Sequence, residues 1–418
     1  MMEFAEDLVM IGQRAKNAAR KLAFTGTETK NKALLAMAQA LLDNEDAILE
    51  ANALDVAAAE KKGLKKSLIN RLRLTSAGIS DISNAIKEVV GLPDPVGGGE
   101  LWKRPNGLVI QKTMVPLGVV AMIYEARPNV TVDAAALCLK SGNACILRGG
   151  SEAIESNKVL ARVIAEAAEQ SGIQAGAIQL IQKTDREYAL QLMRMNKYID
   201  VIIPRGGAGL IQTVVENSTV PVIETGTGVC HAYVDLDADY EKAVSVVFNA
   251  KTQKPGVCNA LETLLVHEAV AEEYLPMIGR KFKAYGVEIR GCERVRKILD
   301  YAVPATEKDW STEYLDLIIS VKVVNSIDEA LDHIYTYSTK HSETIITENY
   351  TASQRFLNEI DAAAVYVNAS TRFTDGGRFG FGAEIGISTQ KLHARGPMAL
   401  PELTTIKYIV YGNGHIVE

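Results

Sequence analysis

The spacing of apolar residues changes along the chain and separates a helical first part from an alternating remainder. Between about residues 3 and 90, apolar residues recur at helical spacing, as in ALLAMAQALLDNEDAILEANALDVAAAEKKG. This pattern predicts long amphipathic helices that end at Gly63. The segment GLPDPVGGG at 91–99 then breaks the pattern.

Short apolar strands and helices alternate through the rest of the chain. The first strand predictions are VVAMIY (119–124) and ACILRGG (144–150), with a helix over 130–142 between them, followed by IQLIQ and YIDVIIPR. After VPVIETGTG (220–228), a second series begins with HAYVDL, ALETLLVH, LIISVKVV, ETIIT and AAVYVN. Uninterrupted apolar strands separated by helices are typical of parallel sheets covered on both faces. The predicted fold class is therefore α/β, with two doubly wound parallel-sheet domains.

The end of the chain follows a different pattern. TTIKYIVYGNG predicts one exposed strand without an obvious partner in its own domain, and 101–114 predicts a hairpin. An exposed strand of this kind often pairs with another subunit. We therefore expect a small β arm that mediates assembly into a homodimer or a higher homo-oligomer.

Composition and charge narrow the class of protein. The 418 residues are 47% hydrophobic and 23% charged, as in a globular protein, and the net charge of −6 disfavours nucleic acid as a partner. No stretch approaches the roughly 20 apolar residues that span a bilayer, and the N-terminus MMEFAEDLVM carries acids where a secretory signal carries bases. The five cysteines lack CxxC spacing, which argues against a disulfide framework or a zinc site. We expect a cytoplasmic protein with reduced thiols, no membrane association and no metal.

One cysteine stands in a chemically suggestive segment, KTQKPGVCNALETLLVH. Pro255-Gly256 forces a turn before Cys258, which can present the thiol on a loop or at a helix N-terminus, with Lys251 and Lys254 nearby to favour the thiolate. The alternative is that Cys258 is a small buried hydrophobic residue, as free cysteines often are. We expect Cys138 and Cys145 in the core and Cys292 at the surface, which leaves Cys230 as the rival.

Three turns at predicted strand ends are further site candidates. PRGGAG (204–209) ends a strand and opens a helix, an arrangement that can cradle phosphate, although a tight turn needs glycine anyway. Arg148, followed by Gly149-Gly150-Ser151, is a second possible anion site at a strand end. In VIETGTG, Glu224 can act either as a base or as a structural cap.

Taken in order, these motifs resemble the aldehyde dehydrogenase superfamily. The resemblance rests on Asn129, ILRGGSE, PRGGAG, VIETGTG, KPGVC and GRFGFGAEIGIS, and on the separation between Glu224 and Cys258. Within that superfamily, YEARPNVT, VIETGTGVCHAYVD, KTQKPGVCNALETLLVH and FGAEIGISTQKLHARGP look most like the branch that reduces L-glutamyl 5-phosphate. The likeness runs from about Leu101 to Gly412.

The resemblance implies an NADPH-dependent reduction of L-glutamyl 5-phosphate to L-glutamate 5-semialdehyde, the second step of proline biosynthesis from glutamate. Cys258 would attack the acyl phosphate and form a thioester. The backbone N–H of Cys258 and the side chain of Asn129 would stabilise the oxyanion, although Asn129 can equally be a helix N-cap. Glu224 would assist the thiol's proton or order its turn.

The resemblance also assigns residues to the cofactor and the substrate. Arg148 matches a basic residue beside the adenosine ribose and suits a 2′-phosphate, hence NADPH. The other implied cofactor residues are Ser151, Gly206, Gly209 and Glu313, the last beside the nicotinamide ribose, unless Glu313 is a solvated loop acid. The substrate is anionic at both ends, and its proposed ligands are Lys254, Arg378 and Arg395.

The implied domains are an NADPH-binding domain (1–100 and 115–229), a catalytic domain (230–400) and an oligomerisation arm (101–114 and 401–418). Association with glutamate 5-kinase, which makes the unstable acyl phosphate, is a further expectation. Two alternatives stay open: an enzyme of the same fold that acts on a CoA thioester, and a catalytically silent nucleotide-binding or partner-binding protein.

Overall fold

The computed structural model describes residues 5–125 and 127–417, with the backbone alone for Ser67. The remaining positions, Met1–Phe4, Ala126 and Glu418, fall within the predicted first domain and arm and lie outside the described residues. The chain forms two compact units. One comprises Met1–Thr225, Gly380–Gly386 and Met398–Glu418, and the other comprises Gly226–Phe379 and Ile387–Pro397. The functions predicted for the domains stay predictions.

The α-helices are α1 Glu6–Leu22, α2 Thr27–Asp43, α3 Glu45–Lys61, α4 Lys66–Leu72, α5 Ser76–Gly91, α6 Asn129–Lys140, α7 Ile154–Gln170, α8 Arg186–Leu192, α9 Ala208–Asn217, α10 Tyr240–Thr252, α11 Glu268–Tyr285, α12 Glu293–Ile298, α13 Ile327–Tyr337 and α14 Tyr350–Glu359. The strands are β1 Gly99–Lys103, β2 Val109–Pro116, β3 Val119–Tyr124, β4 Ala144–Arg148, β5 Ile178–Leu180, β6 Val201–Arg205, β7 Cys230–Val234, β8 Leu261–His267, β9 Glu288–Gly291, β10 Val303–Pro304, β11 Ile318–Val324, β12 Ser342–Ile346, β13 Ala364–Val367, β14 Gly386–Ser388, β15 Gly396–Met398 and β16 Thr404–Tyr411.

The first unit is built on a four-stranded sheet in the order β5-β4-β3-β6. All three strand pairs are parallel, and every residue of the central strand β3 is buried. Strands β4 and β5 extend the sheet on one side of β3, whereas β6 lies on its other side, so the strand order reverses beside β3, where open α/β sheets bind ligands. The predicted N-terminal helices are confirmed, and α2 packs on α5, α6 and α7.

The second unit contains a seven-stranded sheet in the order β10-β9-β11-β8-β7-β12-β13. Its strand pairs are all parallel, as the uninterrupted apolar strands predicted. The sequence did not reveal β9 and β10, because EIRG and the two-residue VP carry too few apolar positions to stand out from a loop. Helices α10 and α11 pack on β8, and the three elements share one buried apolar cluster.

A third sheet, with the order β1-β2-β16, confirms the predicted hairpin and terminal strand. The sequence offered no obvious partner for the terminal strand, but the structure gives it one in the predicted arm. The terminal strand pairs antiparallel with β2 from Thr404 opposite Pro116 to Tyr411 opposite Val109. Because the two strands are almost 300 residues apart in the chain, no local pattern announces the pairing. Within the described residues, no helix is both long and apolar enough to cross a membrane.

Candidate active site

In the second unit, the predicted nucleophile lies at the edge formed by the amino ends of the strands. Cys258 precedes β8, Gly228 precedes β7, Glu313 precedes β11 and His341 precedes β12. These strands are parallel neighbours in the order β11-β8-β7-β12, so the four residues share one sheet edge. This is the edge opposite to the one that usually binds ligands in open α/β sheets.

Cys258 lies on the turn between α10 and β8, not at a helix N-terminus, and it is half-buried. The segment before β7 approaches this turn so closely that a Cβ on Gly228 would lie 1.4 Å from the carbonyl oxygen of Cys258. The backbone N–H of Gly228 donates to Glu313 Oε1 at 2.8 Å. The last glycine of VIETGTG is therefore required by packing against Cys258, and Glu313 holds it in place.

The rival cysteine, Cys230, supports this turn and is unsuited to attack a substrate. Its fully buried Sγ donates to the Cys258 carbonyl oxygen at 3.2 Å. Burial raises the pKa of the Cys230 thiol well above its usual value, so it stays protonated. Cys138 and Cys145 are buried, as expected, whereas Cys292 is half-buried and accepts a hydrogen bond from the Val323 N–H, instead of lying at the surface.

Sequence reasoning missed the segment that fixes the other side of the Cys258 turn. The side chain of Asn259 donates to the Thr374 carbonyl oxygen at 2.7 Å, and Thr371 Oγ1 donates to the Asn259 carbonyl oxygen at 2.8 Å. Arg372 Nη1 donates to Asn259 Oδ1. These residues belong to the short 3-10 turn in NASTRFTDG, whose polar composition resembles that of an ordinary loop. These residues differ from those of an ordinary loop in being buried, and the local sequence does not show that burial.

Lys251, which the sequence placed near the thiol, lies in the core. It is fully buried, and its Nζ donates to Glu262 Oε2 at 2.7 Å. Burial lowers the pKa of Lys251 and raises the pKa of Glu262, because the interior disfavours both charged forms. The opposite charge of each partner reduces the pKa shift of the other. The positive charge of Lys251 is thus matched locally.

The predicted substrate ligands occupy two places in the second unit. Lys254 is exposed on the Cys258 turn, and Arg378 is exposed just beyond the turn that holds Asn259. Arg395 Nη2 instead pairs with Asp361 Oδ1 at 2.7 Å. Lys391 and Lys340 approach the same carboxylate at 2.8 Å and 3.6 Å, so three cations surround one acid. These cations, with the hydrogen bond from Lys391 first, hold the pKa of Asp361 well below its usual range.

In the first unit, the basic candidate Arg148 lies at the carboxyl end of β4. Its Nη2 donates to the Thr184 carbonyl oxygen at 2.7 Å, while its Nε is buried without a partner among the described residues. Burial lowers the pKa of Arg148, and the nearby Glu152 and Asp185 oppose that shift. A Cβ on Gly149 would lie 2.1 Å from Asn157 Nδ2, so packing requires this glycine. Ser151 is exposed at the start of the next helical turn.

The PRGGAG turn joins β6 to α9 in the same unit. Gly207 is the N-cap of α9, and its N–H donates to Glu125 Oε2 at 2.9 Å. A Cβ on Gly206 would lie 2.7 Å from the Glu125 carboxyl carbon, whereas Gly209 has open space around it. The PRGGAG turn therefore binds an anionic group of the protein itself, the carboxylate of Glu125, which directly follows β3.

Asn129 begins α6, but its side chain does not cap the helix. Pro128 is the N-cap, and Asn129 Nδ2 donates to Asp133 Oδ2 at 2.9 Å. Burial raises the pKa of Asp133 to about 6, although Asn129 and Arg205 oppose the shift. The N-cap alternative was therefore wrong, and the amide retains a second N–H for another acceptor.

Glu224 is half-buried in a segment fixed on both sides. Before it, Val222 forms a parallel bridge with Ile202 of β6. After it, Thr225 Oγ1 donates to the Pro204 carbonyl oxygen at 2.7 Å. Glu224 belongs to the first unit and Cys258 to the second.

Comparison with known proteins agrees with the family resemblance found in the sequence. The sequence model described as "Aldehyde dehydrogenase family" matches residues 4–290. A gamma-glutamyl phosphate reductase from Desulfitobacterium hafniense strain Y51 is 74% identical over 416 residues, covering 100% of both chains. The crystal structure of a gamma-glutamyl phosphate reductase from Thermotoga maritima has a TM-score of 0.97 and 52% identity, covering 99% of this chain and 100% of that one. An acetylating aldehyde dehydrogenase from Geobacillus thermoglucosidasius has a TM-score of 0.72 at 18% identity over 99% and 98% of the two chains, and so shares the fold.

Proposed function

The chain belongs to the aldehyde dehydrogenase family, and from that premise we propose that it reduces L-glutamyl 5-phosphate to L-glutamate 5-semialdehyde and phosphate. This reaction is the second step of proline biosynthesis from glutamate. The observation that carries the proposal is 74% identity over the full chain to a reductase named for this substrate. The packing of Gly228 and Asn259 around a half-buried Cys258 supports a nucleophile at that position.

The first unit offers groups that fit NADPH. Arg148 has an unsatisfied donor at a strand carboxyl end, which suits the 2′-phosphate, and Gly206 and Gly209 flank a helix N-terminus that suits pyrophosphate. Ser151 would contact the adenosine half. Glu313 of the second unit would bind the nicotinamide ribose; Oε1 already holds Gly228, and a carboxylate can accept several hydrogen bonds. When bound, NADPH supplies a hydride.

The second unit would carry out the covalent chemistry. The Cys258 thiolate forms a bond to the acyl carbon, the bond from that carbon to the phosphate oxygen breaks, and phosphate leaves with the electron pair. This produces a thioester, which accepts a hydride far more readily than a carboxylate does. After reduction, the C–S bond breaks, the oxyanion becomes the aldehyde carbonyl, and the thiolate is regenerated.

Negative charge develops on the acyl oxygen in both addition steps. We assign its stabilisation to the backbone N–H of Cys258 and to Asn129 Nδ2, whose other N–H is held by Asp133. Glu224 is assigned to accept the thiol proton. A hydrolytic role for Glu224 would release the acyl group as glutamate, which this reaction must avoid.

The anionic ends of the substrate need cations. Lys254 and Arg378 lie on the two loops that meet at Asn259, and Arg395 lies with Lys340 and Lys391 around Asp361. Lys340 and Asp361 precede β12 and β13, so this cluster is on the same sheet edge as Cys258. The strand order places β12 two strands from β8, about 10 Å along that edge. Three cations around one acid leave a net positive charge for a carboxylate or phosphate.

Each predicted domain has a role in the proposed reaction. We assign NADPH binding to 1–100 with 115–229, catalysis to 230–400, and assembly to the β1-β2-β16 sheet, which would pair with a second copy. On this account the enzyme works in the cytoplasm, beside the glutamate 5-kinase that supplies its unstable substrate.

The test is NADPH oxidation with L-glutamyl phosphate generated in the assay by a kinase. Cys258→Ala should lower turnover by at least about 1,000-fold while NADPH affinity, measured by fluorescence titration, stays near that of the unaltered chain. Cys292→Ala is the matched control, a half-buried cysteine outside the site, and should retain turnover.

Each failure has a distinct meaning. Turnover retained by Cys258→Ala would contradict the nucleophile assignment. No turnover with glutamyl phosphate, together with turnover of a CoA thioester, would replace the substrate. NADPH binding without turnover of either substrate would favour a catalytically silent protein.

A further inference from the structure

Arg372 is a buried cation whose hydrogen-bond partners are neutral. Only 9% of its surface is exposed. Its Nε donates to Gln253 Oε1 at 2.9 Å, and its Nη1 donates to Asn259 Oδ1. Among the ion pairs formed within residues 5–125 and 127–417, none involves Arg372. Its charge is therefore not matched by a paired carboxylate.

A buried charge without a partner is costly, so the charges around Arg372 determine how well it is tolerated. Burial, followed by the repulsion of Arg378, lowers the pKa of Arg372, whereas Asp375, Cys258 and Cys230 raise it. The Asp375 carboxylate is bound to the backbone N–H of Arg378 at 3.1 Å. Cys230 stays protonated because it is fully buried. Asp375, the stronger of the two influences, and a Cys258 thiolate therefore both offset the cost of burying Arg372, and Cys258 is the one to which chemistry is assigned.

The two bonds of the guanidinium fix its position relative to the Cys258 turn. Gln253 is the C-cap of α10, the helix that leads into the turn, and Asn259 follows Cys258 directly. Asn259 is in turn held by Thr371 and Thr374 from the same segment as Arg372. The Arg372 guanidinium is thus bound to residues before and after Cys258 in the chain. Because its side chain is already fixed, it loses little conformational freedom when the thiolate forms.

We infer that Arg372 is a positioning residue whose fixed charge stabilises the Cys258 thiolate before substrate binds. The inference rests on the proposed role of Cys258 as nucleophile. It adds a residue that the substrate need not touch, and it explains why a cation is buried among amides. Arg372 thereby takes the role that the sequence suggested for Lys251 and Lys254. The charge of Lys251 is matched by Glu262, and Lys254 is exposed on the turn.

The test measures thiolate formation directly, without substrate or cofactor. The full-length protein is alkylated with iodoacetamide from pH 5 to 10, and the modified Cys258 peptide is quantified by mass spectrometry. Arg372→Gln removes the charge but keeps an amide donor for Asn259. We expect the pH of half-maximal alkylation rate to rise by about one unit or more, as for loss of a close opposite charge.

Two variants separate charge from shape. Arg372→Lys keeps a cation and should remain close to the wild-type midpoint. Thr371→Val removes the hydrogen bond to the Asn259 carbonyl from the same turn without changing charge, and it should leave the midpoint unchanged. An unchanged midpoint in Arg372→Gln would overturn the inference, as would equal shifts in Arg372→Gln and Thr371→Val or in Arg372→Gln and Arg372→Lys.

A substitution at an exposed position covers the case in which Arg372→Gln fails to fold. Gln253 is exposed, and Gln253→Glu places a carboxylate against Arg372 Nε without removing the arginine. The midpoint should again rise, and an unchanged midpoint would overturn the inference. Failure of iodoacetamide to modify Cys258 in the wild-type chain would instead contradict the proposed nucleophile, so the two failures are distinguishable.

Discussion

At the scale of single residues, glycines and buried polar groups determine how the candidate nucleophile is presented. Gly228 lets one segment lie against the carbonyl of Cys258, and Asn259 ties the next residue to a second segment. Neither residue performs chemistry in the proposed reaction. Their effect is to fix the backbone on either side of the thiol, and errors of about 1 Å at such positions can cost about 100-fold in rate.

Gly228→Ala tests this constraint. A Cβ placed 1.4 Å from the Cys258 carbonyl oxygen must displace the turn, so we expect turnover to fall about 100-fold and unfolding free energy to fall by about 1–3 kcal/mol. Turnover and urea unfolding curves measure the two effects. Gly91→Ala, at a glycine with nothing within 4 Å at the end of α5, is the control; it should retain turnover and leave the unfolding free energy unchanged or raised by up to about 1 kcal/mol. Normal turnover in Gly228→Ala would mean that the turn is not under this constraint.

A second prediction concerns Glu125, which accepts a hydrogen bond from the Gly207 N–H where the pyrophosphate is proposed to bind. Two anions compete for one helix N-terminus, so Glu125→Gln should bind NADPH about 2- to 5-fold more tightly, from an effect of about 0.3–1 kcal/mol. Fluorescence titration measures the affinity. Glu216→Gln, at the other end of α9, should bind as the wild type does. Weaker binding in Glu125→Gln would show that the carboxylate assists the cofactor.

At the scale of helices and strands, local pattern accounts for most of the fold and for little of the site. The apolar runs of β3, β4, β7, β8 and β11 predicted parallel strands because both faces of such a sheet are buried. KTQKPGVC made Cys258 a candidate through its turn, and the family resemblance, not the turn, selected it as the predicted nucleophile. The contacts of Arg372 and the β2–β16 pairing join segments more than 100 residues apart, and no local periodicity encodes them.

The β1-β2-β16 sheet exposes apolar side chains that a second copy of the chain could cover. Trp102, Ile110 and Val410 share one row across β1, β2 and β16, and Tyr408 packs edge-to-face on Trp102 at 6.3 Å. Tyr408 and Val410 are 56% and 53% exposed, an unusual display of apolar surface on a strand at the edge of a sheet.

Replacing Tyr408 and Val410 together by lysine should therefore yield a monomer by light scattering, because the charges block pairing with a second copy. Thr405→Lys adds charge to the opposite face of the same strand and serves as the control, which should retain the wild-type mass. An unchanged mass in the double variant would place the subunit interface elsewhere.

At the scale of the whole molecule, buried ionisable groups couple stability to pH. In the second unit, His333 lies with its ring edge-to-face on Trp310 at 5.3 Å and tilted against Tyr337 at 4.6 Å. Burial, with His231 and Lys322 nearby, lowers the pKa of His333 to about 2. The unfolded chain binds a proton at this residue below about pH 6.5, and the folded chain does not. Stability should consequently fall with decreasing pH below 6.5.

His333→Phe separates this effect from the other titrating groups. The phenyl ring keeps the contacts with Trp310 and Tyr337 but cannot bind a proton. We expect the wild type to lose up to about 1.4 kcal/mol per pH unit more than the variant between pH 6 and 5, since each unit of pKa difference contributes that amount.

Trp310 can report the unfolding of its own unit. The chain has 2 tryptophans, so a Trp102→Phe background leaves Trp310 as the sole indole. Urea unfolding followed by its fluorescence at pH 5, 6 and 7 gives the slopes, with His415→Phe as a control at an exposed histidine. Equal slopes for His333→Phe and the wild type would mean that His333 binds a proton in the folded state as readily as in the unfolded one. Burial among aromatic rings would then not be what governs its charge.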